Sequence, residues 1–267
     1  MMKNRRSFII GIKSLSLSKK EINFIKVYKP WGIILFSRNI KSIKQTKKLT
    51  DQIKLIFNDR YYPILIDQEG GRVNRLKKIL KTDSETSEFF GKLYLKDKKK
   101  FNISYKSFIN ETSHLLRLIG ININTLPVLD LRLKGSSNII GDRSFSDNMK
   151  IVSKIGDLCI DYFHQNKIGT VIKHIPGHGL AKVDSHKLTP TVKKGLNYLI
   201  KNDFSAFMNK ASLFAMTAHI IYYNIDKSYT ATHSKKIIKI IRNRIKYRNI
   251  LMSDDISMKS LKCSITD

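Results

Sequence analysis

The stretch KIVSKIGDLCIDYFHQNKIGTVIKHIPGHG, residues 150–179, holds the fold in miniature. Its first half is amphipathic at the helical period, which predicts a helix over Lys150–Gln165. The chain then compresses into the β-rich apolar run Gly169–Lys173, a strand of the type buried on both faces. That strand ends in chemically capable residues, Lys173 and His174, and runs into the turn-forming Ile175-Pro176-Gly177-His178-Gly179.

The same alternation extends outward in both directions. Strands are expected at Ser7–Ile12, Gly32–Phe36, Pro63–Asp67, Ile123–Val128, Ser212–Thr217 and Asn249–Ser253. Helices are expected at Lys19–Tyr28, Ser42–Phe57, Ser104–Leu118, Leu196–Lys210 and Ser234–Tyr247, with Ser42 and Gln45 forming a capping box. Alternating β and α elements with buried strands predict an α/β domain whose parallel sheet is covered by helices. Its seven strands favour a TIM-type (β/α)8 barrel over an open doubly wound sheet. The open sheet calls for a Gly-rich phosphate turn after its first strand, and Gly11-Ile12-Lys13 is not one. Too few residues follow Asp254 for another helix, an eighth strand and a closing helix, so the barrel is expected to lack its last βα unit. No linker-like stretch divides the chain, and residues 1–267 read as a single, C-terminally incomplete barrel domain.

Composition excludes several classes. A hydrophobic fraction of 42% supports a real core and argues against wholesale disorder. No apolar run approaches the roughly 18–20 residues of a membrane helix. Phe8–Ile12 is too short for a signal-peptide core. Cys159 and Cys263 make no disulfide framework, and a cytoplasmic location is expected. Lys+Arg 50 against Asp+Glu 21 gives a formal charge of +29, which invites a nucleic-acid reading. Lysine is scattered through every segment, however, and the densest cluster, Lys96–Lys100, has no aromatic interleaving. A solvated surface that binds anions only nonspecifically is the expectation, with no specific nucleic-acid partner.

Polar residues gather at the strand ends, where a parallel barrel carries its active site. Asp67 leads into Gln68–Arg75, Lys173 and His174 lead toward Asp184-Ser185-His186, a further strand leads into His219, and the last ends in Asp254-Asp255. On the residues alone, Asp-Ser-His is either an Asx turn with a surface histidine or a carboxylate–imidazole couple. His178 and His219 read as loop supports or site-lining residues. No HxH or HExxH spacing occurs, so neither metal nor cofactor is expected. Trp31, the only tryptophan, is a sugar platform or a packing residue, and its place before the second strand favours packing.

Leu65–Leu76 (LIDQEGGRVNRL), Lys173–Gly179 (KHIPGHG), Asp184–His186 (DSH), Met216–His219 (MTAH) and Ser253–Met258 (SDDISM) resemble the bacterial β-N-acetylhexosaminidases of glycoside hydrolase family 3. Gly32–Asn39, Pro127–Asp130 (PVLD) and Ile140–Phe145 (IGDRSF) extend the resemblance in the same order. It implies a retaining hydrolase acting on a terminal β-linked GlcNAc of muropeptides, in peptidoglycan recycling and so in cell-wall biogenesis, cell shape and cell division. Asp254 matches the nucleophile, with Asp255 its neighbouring competitor. His186 matches the acid/base and Asp184 the carboxylate that orients it. Asp67, Arg75, Arg143, Lys173 and His174 match the groups that hold the sugar, while Arg72 is expected to brace its loop on Glu69 or Asp67. A monomer acting on a small amino-sugar substrate is expected. Phosphorolysis, or a degenerate barrel that binds sugar without turnover, are the alternatives. Leu76–Lys100 departs from the family pattern in being Lys-rich and without the usual proline.

Overall fold

Ser18 opens the first helix: its hydroxyl accepts from the Glu21 amide while the Glu21 carboxylate accepts from the Ser18 N–H at 2.8 Å, a closed capping box. The structure, a computed structural model, describes residues 4–135, 138–183 and 189–261. In order these form β1 (Arg6–Gly11), α1 (Lys19–Tyr28), β2 (Pro30–Leu35), α2 (Ile43–Ile56), β3 (Ile64–Ile66), α3 (Ser87–Lys96), α4 (Lys98–Leu118), β4 (Ile123–Asn124), α5 (Met149–Gln165), β5 (Gly169–Ile175), β6 (Thr191–Val192), α6 (Leu196–Lys201), β7 (Phe214–Thr217), β8 (Ile221–Tyr222), α7 (Lys235–Asn243) and β9 (Ile250–Ser253).

The large sheet is parallel throughout, in the order β1-β2-β3-β4-β5-β7-β9. Its curvature follows from one contact. Trp31 on β2 meets Phe214 on β7 edge to face, ring centroids 5.3 Å apart. In a flat sheet those strands would stand four spacings, about 19 Å, apart. The sheet therefore curls round an apolar interior of Leu65, Ile123, Val171, Phe214 and Met216, joined by Ile9, Trp31, Ile34 and Met252. The packing reading of Trp31 holds. Alternate residues such as Ile64, Ile66 and Ile172 point outward, against Ile25, Leu49, Ile53, Leu116 and Phe163 of the helices. Among the described residues β1 and β9 are the two edges, and no helix is long and apolar enough to cross a membrane.

Several boundaries differ from expectation. β4 stops at Asn124 as the chain nears Pro127, which offers no N–H to the ladder; beyond it the contact continues as single bonds, Thr125 N to Ile66 O and Val171 N to Leu126 O, and an isolated bridge from Val128 to Lys173. The helix expected over Leu196–Lys210 ends at Lys201. Asn202 leaves helical backbone (φ −122°, ψ −94°), and a 3-10 turn over Asp203–Phe207 buries Asp203. Ser42 does cap α2, but Gln45 reaches the amide of Lys41 instead of Ser42, so the expected box is only half formed. A two-stranded parallel sheet, β6 with β8, was not anticipated. Neither was α3, within the Lys-rich segment.

Gly91 shows how tightly α3 is seated. A Cβ there would lie 1.7 Å from the Phe145 carbonyl oxygen. Gly91→Ala is expected to cost about 1–3 kcal/mol through overpacking, seen as a lower urea midpoint with an unchanged m-value.

Candidate active site

Strand pleating returns every second residue to the same face. Two positions beyond the apolar interior, that face turns polar: Asp67 follows Leu65, Thr125 follows Ile123, Lys173 follows Val171 and Asp254 follows Met252. The barrel mouth is thus built by continuing the inward face of four strands past its greasy layer.

Lys173 is the hub of this ring. Its Nζ lies 2.8 Å from Asp67 Oδ1, 2.7 Å from Glu69 Oε1 and 2.9 Å from Thr125 Oγ1. The Thr125 hydroxyl in turn donates to Asp67. Arg143 grips Glu69 with a two-pronged contact, Nε at 2.8 Å and Nη2 at 2.9 Å, the geometry guanidinium favours. Arg75 approaches Asp67 at 3.8 Å. Burial pushes the Asp67 and Glu69 carboxyls up, but the charges of Lys173 and Arg143 outweigh it, and both lie below the usual carboxylate range. Burial likewise opposes the charge on Lys173, and Asp67 and Glu69 overcome it, leaving the ammonium more basic than usual.

A second string of groups runs beside the first. His174 Nδ1 sits 2.6 Å from Asp130 Oδ2, and His174 Nε2 faces Asp254 Oδ2 at 3.8 Å. Asp254 is partly exposed and accepts from the Asp255 amide at 2.7 Å. The Asp255 carboxylate is occupied elsewhere, by the Ser257 amide and hydroxyl. Of the two neighbours, Asp254 is therefore the one that joins the ring.

The structure brings Asp67, Arg75, Arg143, Lys173, His174 and Asp254 together. Asp184 and His186 lie outside the described residues, but the chain on either side of them is fixed. The Tyr222 hydroxyl donates to the Gly177 carbonyl, Ile221 N donates to Pro190 O at 2.9 Å, and Thr189 Oγ1 donates to Ser260 O at 2.8 Å. Arg72 does brace its loop, though on Asp142 at 2.8 Å and on the carbonyls of residues 138–140 instead of Glu69 or Asp67. Arg143 and Lys173 already saturate Glu69. His219 supports a loop, with Nδ1 on Thr232 at 2.7 Å and Nε2 donating to the Asp255 carbonyl at 3.0 Å. Three contributors were missed. Thr125 carried no signal, Glu69 stood two residues past a strand end, and Asp130 closed the PVLD block without any indication of what it holds.

His178 and Asp203 sit buried beneath this ring. Neither His178 ring nitrogen has a hydrogen-bond partner among the described residues. Burial pulls this imidazole down to about 4, Asp130 opposing only in part. Burial and the nearby Asp130 charge push the Asp203 carboxyl well up. Gly177 makes room for it, since a Cβ there would lie 2.6 Å from Asp203 Cγ. For His178 the linkage is one-signed. Unfolding raises its pKa toward 6.5, so the unfolded chain binds the extra proton, and stability falls as pH drops from about 6.5 to about 4. The loss amounts to about 2–3 kcal/mol. Urea unfolding across that window is expected to show it, and His178→Gln to flatten the slope.

A curled parallel sheet whose strand ends carry carboxylates, cations and an imidazole in one polar ring is the frame of a barrel enzyme. The family profile for the glycosyl hydrolase family 3 N terminal domain matches residues 9–266. The chain belongs to that family. A β-hexosaminidase of Actinobacillus pleuropneumoniae is 30% identical over 257 residues, which is 94% of this chain and 72% of that protein. The native NagZ structure from Neisseria gonorrhoeae superposes with a TM-score of 0.87 at 28% identity, covering 96% of this chain and 75% of that one. A family 3 β-N-acetylglucosaminidase from a Paenibacillus species gives 0.84 at 26%, covering 95% of this chain and 48% of that one.

Proposed function

We propose that this β-N-acetylhexosaminidase is an exo-acting β-N-acetylglucosaminidase that removes terminal β-1,4-linked GlcNAc from muropeptides, including GlcNAc–1,6-anhydro-N-acetylmuramyl fragments, in the cytoplasmic recycling of peptidoglycan. The observation that carries the reading is the placement of Asp254, 3.8 Å from His174 and in one ring with the Lys173–Asp67–Glu69–Arg143 network.

In this reading Asp67, Arg75, Arg143, Lys173 and His174 hold the hydroxyls of the terminal sugar. The Asp254 carboxylate attacks C1 while the bond to the departing oxygen breaks, and His186, oriented by Asp184, supplies the proton that oxygen needs. Water then attacks C1 of the glycosyl ester, gives its proton back to His186, and frees Asp254 with overall retention. Thr189, three residues past His186, is bonded to the turn that follows Asp254, which supports the pairing of the two segments.

The test is turnover of an aryl N-acetyl-β-glucosaminide and of the GlcNAc–anhydro disaccharide, with the first-formed anomer read by NMR. Release of β-GlcNAc supports the reading. GlcNAc-1-phosphate formed only in phosphate buffer would make the enzyme a phosphorylase, and GlcNAc binding without turnover would leave a sugar-binding barrel.

A further inference from the structure

Asp130 is fully buried, so it touches no sugar, yet two backbone amides and an imidazole converge on its carboxylate. Its oxygens accept the His178 amide at 2.7 Å and the His174 amide at 3.2 Å, and one of them lies 2.6 Å from the His174 ring at Nδ1. Its own carbonyl accepts the Ser144 hydroxyl at 2.6 Å, next to Arg143. Burial disfavours its charge, but His174 overrides that and the carboxyl lies below its ordinary value.

We propose that Asp130 is a positioning residue: its carboxylate fixes His174 with the proton on Nδ1 and aims Nε2 at the reacting face beside Asp254. The inference rests on the glycosidase reading for its kinetic consequence and on geometry alone for the ring. Two backbone N–H groups and one ring nitrogen meet its two oxygens, and because the carboxyl lies below its ordinary value it can only accept, which puts the proton on Nδ1. With Nδ1–H committed, Nε2 is the ring atom that remains for substrate. The gap from Nε2 to Asp254 Oδ2, 3.8 Å, is too long for a direct bond. A sugar hydroxyl about 2.8 Å from Nε2 donates its one proton to that nitrogen and so stands beside the carboxylate. The ring orientation thus fixes where that hydroxyl, and with it C1, stands relative to the nucleophile. Because Asp130 also holds the His178 amide, it ties this ring to the root of the loop that leads to Asp184 and His186.

Asp130→Asn tests the proposal. The amide has one acceptor oxygen, and its NH2 donates, which turns the neighbouring imidazole to the Nε2–H form. A proton-coupled ¹⁵N histidine spectrum, with His174 assigned by comparison with His174→Gln, is expected to show Nδ1–H in the wild type and Nε2–H in the variant. An Nε2–H wild type, or an unchanged tautomer in a folded variant, overturns the proposal. The wild-type spectrum decides even where the variant fails to fold.

Kinetics give the second readout. Asp130→Asn is expected to lower kcat/KM by about 10²-fold, the scale of a misplaced reacting group. The double variant Asp130→Asn/His174→Gln is expected to be no worse than His174→Gln alone. Losses that multiply would mean that Asp130 acts by some route other than His174. A wild type that cleaves no N-acetylglucosaminide sinks the glycosidase reading, and the spectrum still decides the positioning role.

Discussion

Asp254→Ala is expected to cut turnover of an aryl N-acetyl-β-glucosaminide by ~10⁴-fold or more, the scale on which an enzyme loses a covalent participant, with the unfolding midpoint almost unmoved. Fold and chemistry separate here because of how little Asp254 does for the fold. It is partly exposed, and the hydrogen bond its side chain makes is to the amide of the next residue. Losing an exposed turn bond costs about 1 kcal/mol or less. On the proposed mechanism, losing Asp254 removes the glycosyl ester altogether. Azide gives a sharper readout. It fits the space a methyl leaves and attacks C1 from the same side, so the variant is expected to regain turnover and release the α-glycosyl azide. Asp255→Ala is the control, because its carboxylate is engaged with Ser257. It is expected to cost no more than about tenfold in rate. A fully active Asp254→Ala, or a dead Asp255→Ala, would reassign the nucleophile.

The inner sheet strands were legible because each is a short apolar run buried on both faces, and the half-buried edge strands β1 and β9 were legible as apolar runs of the same length class. Their outward and inward faces followed from pleating alone. What the sequence hid was set by contacts between distant segments. β6 and β8 are two residues each, too short to carry any period, and exist only because Ile221 meets Pro190. α6 stops early because Asp203 is drawn under Gly177, more than twenty residues upstream. Lysines blurred the amphipathic pattern of α3, yet Phe90 packs against Tyr105 and Phe108.

The site divides the same way. Asp67, Lys173 and Asp254 announce themselves as polar residues at the ends of apolar strands. Their partners do not. Glu69 and Arg143 are 74 positions apart, and Asp130 and His174 are 44 apart. Nothing local says that Arg143 will find Glu69 while Arg72 turns to Asp142. Pairing of that kind is decided by which loops share the mouth of the barrel.

Lys173→Met is expected to have the largest effect on stability, about 3–5 kcal/mol, against a total that for ordinary domains is only about 5–15 kcal/mol. The side chain is buried, and its loss leaves Asp67 and Glu69 at the barrel mouth with Arg143 on one and Arg75 at 3.8 Å from the other. Unpaired buried charge dominates the cost, far above what an exposed pair contributes. Lys47→Ala, which breaks an exposed (i, i+4) pair with Asp51, is expected to cost about 0.3–0.5 kcal/mol. Neutralising the stranded acids in Lys173→Met/Asp67→Asn/Glu69→Gln is expected to restore part of the lost stability, since buried ion networks are often no more stabilising than uncharged replacements. Sugar binding is not expected to return with it. That split would locate the value of the network: fixed, oppositely charged groups at a rigid strand end give directional recognition of hydroxyls, and folding alone does not require them. Urea midpoints and titration with GlcNAc read the two quantities independently, and a Lys173→Met protein within about 1 kcal/mol of wild type would remove the premise that Lys173 is the hub.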